Sequence, residues 1–211
     1  MNLRLDDCRL YGILDLGYVA AADALRTARA MLAGGLEMLQ LRAKNVPASD
    51  LHPLACELQL LAAEAGVPLI INDHPQLARE SGAAGVHVGQ DDLSVAEARQ
   101  IVGRRCIVGR STHSLQQAQN AAAEGADYIG FGPLFATPTK PDYVPIGLAD
   151  IAAVHQLVQV PIFCIGGIKR HNLPEVLAAG ARRVVIVSEL LQAPDVPTYI
   201  RSVRELLNQH S

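Results

Sequence analysis

Asp73 and Asp92 are two carboxylates whose surroundings suggest a shared task. Asp73 follows "VPLIIN" and Asp92 follows "GVHVGQD", so each lies just past a short apolar, β-branched run. If those runs are neighbouring parallel strands, about 5 Å apart, the carboxylates converge. Paired hard oxygen donors suit a divalent cation, most plainly Mg²⁺ shared with a substrate phosphate. A local reading competes for Asp73, which could cap a helix beginning near Pro75. For Asp92 that alternative is weaker, because Ser94 with Glu97 already forms a capping-box pattern.

Cationic and hydroxyl groups gather at similar positions. In "QLRAK", Gln40, Arg42 and Lys44 alternate with Leu41 and Ala43, which on an extended chain aims an amide, a guanidinium and an ammonium the same way. The guanidinium suits bidentate phosphate recognition and the ammonium supplies a compact charge. A solvated strand end would look the same. "ATPTK" adds the hydroxyls of Thr137 and Thr139 with Lys140, around a Pro138 that stiffens the backbone, unless it is only a proline turn. Gly166 and Gly167 in "CIGGI" would let a backbone approach an anion, and the short "SELL" piece before Pro194 could offer N–H groups to it. Among the seven histidines, His113 in "STHS" stands beside a strand end among hydroxyls and reads equally as catalytic or loop-orienting. His87 lies inside an apolar run and reads as a hydrogen-bonded interior residue. No nucleophile with a paired base is evident, so covalent catalysis through the protein is not expected.

The elements that must position these residues recur along the whole chain. Apolar runs at 10–14, 38–41, 68–71, 85–88, 106–109, 128–131, 161–165 and 184–187 predict eight strands. Between them lie alanine- and leucine-rich stretches with helical spacing. "LAGGLE", "AEAGVP", "AAEGAD" and "LAAGAR" each place a glycine before the next strand, where a left-handed helix cap needs no Cβ. This internal repeat of a βα unit predicts an α/β protein with a (β/α)8 TIM barrel as a single domain over residues 1–211, shorter than the usual ~250 residues. A doubly wound open sheet is the alternative, and the missing G-x-G-x-x-G after the first strand weighs against it. In a barrel the chemistry belongs at the carboxyl ends of the strands, and every strand but the first is followed by polar residues.

Composition narrows the function classes. The chain has 211 residues, 50% of them hydrophobic, and a formal net charge of −3. Aromatics make up only 4%, tryptophan is absent and no basic run occurs, so neither a stacking platform nor an electrostatic footprint for nucleic acid is expected. No apolar stretch is long enough for a membrane span. The opening "MNLRLDDCRLYG" carries acidic residues where a secretory signal would be apolar, which predicts a cytoplasmic protein. Cys8, Cys56, Cys106 and Cys164 are too scattered for a disulfide framework or a zinc site. Small-molecule substrates are the expected partners, and association into a homo-oligomer stays open.

Taken together, "QLRAK", "IND", "GVHVGQDDL", "GRSTHS", "ADYIGFGPLFATPTK", "IGGI" and "VVIVS" resemble the thiamine phosphate synthase family, in the same order across nearly the whole chain. The resemblance implies a Mg²⁺-dependent transferase that joins hydroxymethylpyrimidine diphosphate to a thiazole phosphate and releases pyrophosphate by a dissociative route. It implies that Gln40 to Lys44, Asn72 and Lys140 hold the pyrimidine diphosphate and that Ser111 contacts the pyrimidine. Asp73 and Asp92 would hold the metal. Thr137, Pro138, Thr139, Gly167, Val187 and Ser188 would bind the thiazole phosphate. Arg42, Lys44, Lys140 and Ser111 are the implied catalytic set. Leu14, Ala136 and Glu189 depart from the family pattern, and a carboxylate at Glu189 would repel a phosphate unless it points away. A thiazole tautomerase, with His113 at its centre, and an idle thiazole phosphate-binding protein are the alternatives.

Overall fold

Strands buried on both faces must be apolar throughout, and the eight runs have that character because each serves two separate cores. The structure, a computed structural model, describes residues 5–44, 46–137, 139 and 143–210. Its strands are β1 (Leu10–Asp15), β2 (Met38–Arg42), β3 (Leu69–Asn72), β4 (Gly85–Val88), β5 (Ile107–Thr112), β6 (Tyr128–Phe131), β7 (Ile162–Cys164) and β8 (Val184–Ile186). They form a closed parallel barrel in sequence order, with β8 pairing back onto β1. An open doubly wound sheet would leave two edges unpaired, so that alternative is excluded.

Helices α1 (Ala24–Ala33), α2 (Ala48–Glu64), α3 (Pro75–Ser81), α4 (Val95–Val102), α5 (Leu115–Ala123), α6 (Ile151–Leu157) and α7 (Leu173–Ala178) each follow their strand. After β8 come the short α8 (Ser188–Leu191) and the long α9 (Val196–Gln209), which packs on α1 and α7. The repeated glycines Gly35, Gly66, Gly125 and Gly180 all adopt the positive φ their positions predict, between 70° and 104°.

Alternation along each strand separates the cores. Leu10, Leu14, Leu39, Leu41, Ile71 and Val86 face outward into the helical layer, whereas Tyr11, Ile13, Met38, Ile70, Tyr128, Phe163 and Val185 fill the barrel. The edge where the strands enter is tied shut by carboxylates. Glu37 accepts from the backbone N–H groups of Arg9 and Leu10 at 2.6 and 2.9 Å and pairs with Arg204 of α9 at 3.1 Å. Asp127 accepts from Val108 N at 2.7 Å and pairs with Arg99 at 2.5 Å. The opposite edge is left for chemistry.

Four strands run further than their apolar residues suggest, β2 and β3 by the single residues Arg42 and Asn72. β5 continues through Arg110, Ser111 and Thr112, which look like a loop in the sequence, because Ser111 and Thr112 stay in register with Gly130 and Phe131 of β6. β1 likewise ends in Asp15, so the first strand does carry a polar end, contrary to the sequence reading.

Barrel closure also demands a close approach at Gly109. A Cβ there would meet Tyr128 Cζ at 2.1 Å, and the Tyr128 ring is fully buried. Gly109→Ala is expected to cost about 1–3 kcal/mol by overpacking, lowering the unfolding midpoint by several degrees. Thermal unfolding checks this, and an unchanged midpoint would mean that the ring has room to yield.

Candidate active site

At the mouth, Arg42 and Lys44 are each met by a carboxylate that the topology brings to it. Arg42 and Asp15 end the paired strands β2 and β1 in register, and Arg42 Nη1 bonds Asp15 Oδ2. Asp15 is only 2% exposed, and its other oxygen accepts from Gly17 N at 2.9 Å. This pair fixes the guanidinium beside a cavity that Arg42 lines. Lys44, just beyond β2, pairs with Asp73 just beyond β3.

Asp73 is not a helix cap. The residue before α3 is His74, whose side chain makes no cap bond, and Asp73 itself takes a left-handed φ of 64°. Its N–H donates to His87 O at 2.8 Å, so the strand end is stitched to β4 while the carboxylate turns to Lys44 and Asp92. Asp92 is oriented by Gly89 N, which donates to Oδ2 at 2.7 Å. The capping box of α4 is made by Ser94 and Glu97, as their spacing predicts. Burial raises the Asp73 carboxyl above its usual value; Lys44 lowers it, and Asp92, within hydrogen-bonding reach, raises it again. Two carboxylates pressed together in this way fit a hard dication. Among the described residues no group of three or more His, Cys, Asp or Glu converges, so further ligands would be water or substrate oxygens.

Inside the barrel lies a hydrogen-bonded chain that the sequence reading saw only in part. Gln40 Nε2 donates to Tyr11 Oη at 2.5 Å, the Tyr11 and Tyr128 hydroxyls lie 3.0 Å apart, and Tyr128 Oη is 2.9 Å from His87 Nδ1. His87 Nε2 in turn is 2.9 Å from Ser111 Oγ. His87 is the interior, hydrogen-bonded histidine its place in an apolar run suggests. Its pairing with Ser111 corrects the expectation that no hydroxyl meets a base: His87 registers with Gly109, and Ser111 is two residues further on the same inward face. Gln90 Nε2 holds Ser111 O at 2.5 Å.

Loops after β5, β6, β7 and β8 complete the mouth. His113 is bound on both sides, its Nδ1 to Gly132 O and its backbone N to Gln117 Oε1 at 2.7 Å, with its ring 4.9 Å from that of Tyr143. These contacts orient the loop, and His113 also lines the cavity. Thr137 Oγ1 accepts from Thr139 N at 3.3 Å, and Tyr18 reaches across from the β1 loop to the Thr139 hydroxyl at 3.0 Å. Gly166 and Gly167 line the cavity and are also required by packing: Cβ atoms there would lie 2.4 Å from Pro133 Cα and 2.7 Å from Phe135 Cβ, so the β6 loop itself rests on them. Glu189 does point away, accepting from Arg170 N at 2.7 Å and Tyr199 Oη at 2.5 Å. Leu14 faces the outer core, so its departure from the family pattern concerns packing.

Of the residues singled out in the sequence, Gln40, Arg42, Asn72, Ser111, Thr137, Thr139, Gly167, Val187 and Ser188 line one cavity. Lys44, Asp73 and Asp92 do not line it but cluster with one another just beyond the strand ends, Lys44 two residues past Arg42 and Asp73 next to Asn72. Leu41 and Ala43 must be corrected, because the period of two turns their side chains into the outer core, leaving only backbone to offer a ligand. Pro138 and Lys140 lie outside the described residues. Asp15, Tyr11 and Tyr128 were missed. Asp15 could have been found as the polar end of "YGILD", whereas the tyrosines looked like ordinary strand residues.

Known proteins match this chain closely. The family model described as thiamine monophosphate synthase matches residues 10–190. A thiamine-phosphate synthase of Chloroflexus aurantiacus is 42% identical over 203 residues, covering 96% of this chain and 94% of the relative. That of Thermus thermophilus is 46% identical over 192 residues, covering 90% and 92%. The solved structure of thiamine phosphate pyrophosphorylase from Pyrococcus furiosus superposes with a TM-score of 0.87 at 30% identity, covering 96% of each chain. A 3-hexulose-6-phosphate synthase, at 18% identity and a TM-score of 0.67, shares the fold alone. With a family model spanning all eight strands and relatives matched nearly end to end, the chain belongs to the thiamine monophosphate synthase family.

Proposed function

We propose that this chain is a transferase that joins a hydroxymethylpyrimidine, delivered as its diphosphate, to a thiazole phosphate, giving thiamine phosphate and pyrophosphate. Family membership supports the reading, and the observation that carries it is the single cavity joining Arg42, beside the Lys44–Asp73–Asp92 flank, to Gly167, Val187 and Ser188. One flank suits a diphosphate and the other a phosphate. Among the described residues no helix is long and apolar enough to cross a membrane. Mixing both substrates with Mg²⁺ should release pyrophosphate. Isomerisation of the thiazole phosphate alone would favour a tautomerase, and saturable binding without turnover an idle module.

Asp73 and Asp92 would hold Mg²⁺, which when bound neutralises charge on the leaving diphosphate. Because Asp73 ionises less readily than a free carboxyl, a proton competes at this pair, and Mg²⁺ affinity should fall as the pH is lowered. Arg42, steadied by Asp15, and Lys44 stabilise the negative charge that develops as the C–O bond to the diphosphate breaks. The methylene carbon left behind shares its positive charge with the amino-substituted ring. The thiazole nitrogen then donates its electron pair to that carbon and becomes the thiazolium. No proton has to leave a protein nucleophile in this sequence. The His87–Ser111 contact supports a second reading, in which Ser111 attacks the methylene first.

Asp92→Asn is expected to leave folding intact, since Ser94 caps α4, and to lower Mg²⁺-dependent turnover by about 10² or more. Steady-state rates against Mg²⁺ concentration decide this, and a normal rate with normal metal dependence would remove Asp92 from the site. Replacing the ring methyl of the pyrimidine by trifluoromethyl separates the two mechanisms. A dissociative step should slow by orders of magnitude with little change in binding, whereas attack by Ser111 would leave single-turnover rates nearly unchanged.

A further inference from the structure

The buried chain from Gln40 to Ser111 has a property that its separate contacts do not. Each tyrosine hydroxyl lies between two partners, Tyr11 between Gln40 and Tyr128, and Tyr128 between Tyr11 and His87. Gln40 and Tyr11 are 2% exposed and Tyr128 is fully buried, so protons must be matched within the protein. Burial raises both phenols well above their ordinary values, so each keeps its single proton. A hydroxyl with one proton and two partners donates to one and accepts from the other, and a neutral imidazole, with one N–H and one lone pair, does the same. Direction is therefore passed from one end to the other.

Two arrangements satisfy every member. In one, Gln40 donates N–H to Tyr11, Tyr11 donates to Tyr128, Tyr128 to His87 Nδ1 and His87 Nε2–H to Ser111, whose own proton is left for a ligand. The Gln40 carbonyl oxygen is then free to accept from the cavity, beside the amide's second N–H. In the other, every bond is reversed: Ser111 spends its proton on His87 and offers a lone pair, while Gln40, its oxygen bound to Tyr11, offers N–H groups.

We propose that Tyr11, Tyr128 and His87 are positioning residues that couple the donor or acceptor state of Ser111 to that of Gln40, so that the cavity favours a ring presenting one donor and one acceptor to these two ends. This rests on the function proposed above and deepens it. An aminopyrimidine, with an amino donor and ring-nitrogen acceptors, meets the requirement in either arrangement. A ring offering two acceptors or two donors leaves one buried group unmatched, which is costly.

The test measures coupling through the chain. Binding of the pyrimidine diphosphate is titrated calorimetrically for Gln40→Leu, Ser111→Ala and the double variant, with Tyr128 intact and again with Tyr128→Phe, which removes only a hydroxyl. With Tyr128 present the two substitutions should be non-additive by about fivefold or more in Kd, and with Tyr128→Phe additive within about twofold. Thiazole phosphate affinity should not change in Tyr128→Phe. Equal non-additivity in both backgrounds overturns the proposal, since it would come from the shared ligand and not from the chain. Should Tyr128→Phe fail to fold, Tyr11→Phe breaks the same chain one bond earlier and is judged by the same outcomes. A wild-type protein that does not bind the pyrimidine diphosphate would instead overturn the proposed function, and this inference with it.

Discussion

A polar side chain enclosed within a barrel must find its hydrogen-bond partners inside, and meeting that demand for Gln40 organises the whole interior. The amide lies at an inward position of β2 where an aliphatic residue would pack more simply. Satisfying it takes a tyrosine from β1, which takes a second from β6, which takes His87 from β4 and finally Ser111 from β5. Five strands are thus held in one register by side chains as well as by their ladders. The apolar neighbours respond to the same chain: Phe163 packs edge-on against both tyrosine rings, and Gly109 forgoes a side chain so that Tyr128 can reach inward.

Charge is handled differently, outside this floor and in pairs. Asp15 with Arg42 and Asp73 with Lys44 each join adjacent strands, so the parallel order of the barrel decides which cation meets which carboxylate. Asp92, held by Gly89 N, stands against Asp73 and raises its carboxyl value. Asp15 contributes twice, since its second oxygen also shapes the turn at Gly17.

Much of this was legible in the sequence because strand burial and helix termination are local. The eight apolar runs located the strands, and the glycine echoes located the helix ends. Ser94 with Glu97 disclosed its cap. Strand ends were less legible: Ser111 and Thr112 are polar yet still paired, because the ladder to β6 supplies what their side chains do not. The period of two already set Arg42 apart from Leu41 in the sequence, and the two cores on either side of β2 show where the Leu41 side chain goes. The tyrosines were invisible for a different reason. Nothing in "LYGIL" or "DYIGF" tells that two hydroxyls meet across a barrel, since their contact spans 117 residues of chain.

The backbone at Asp73 narrows what mutation can explore there. At φ 64° a side chain with a branched or bulky Cβ is strained, and only glycine, asparagine and aspartate enter that region readily. Of these three, aspartate alone brings the charge that Lys44 meets. Even glutamate, the ordinary conservative exchange, would have to pay for the conformation as well as for an extra methylene. Random drift at this codon therefore meets two independent filters, one steric and one electrostatic, and a single residue passes both.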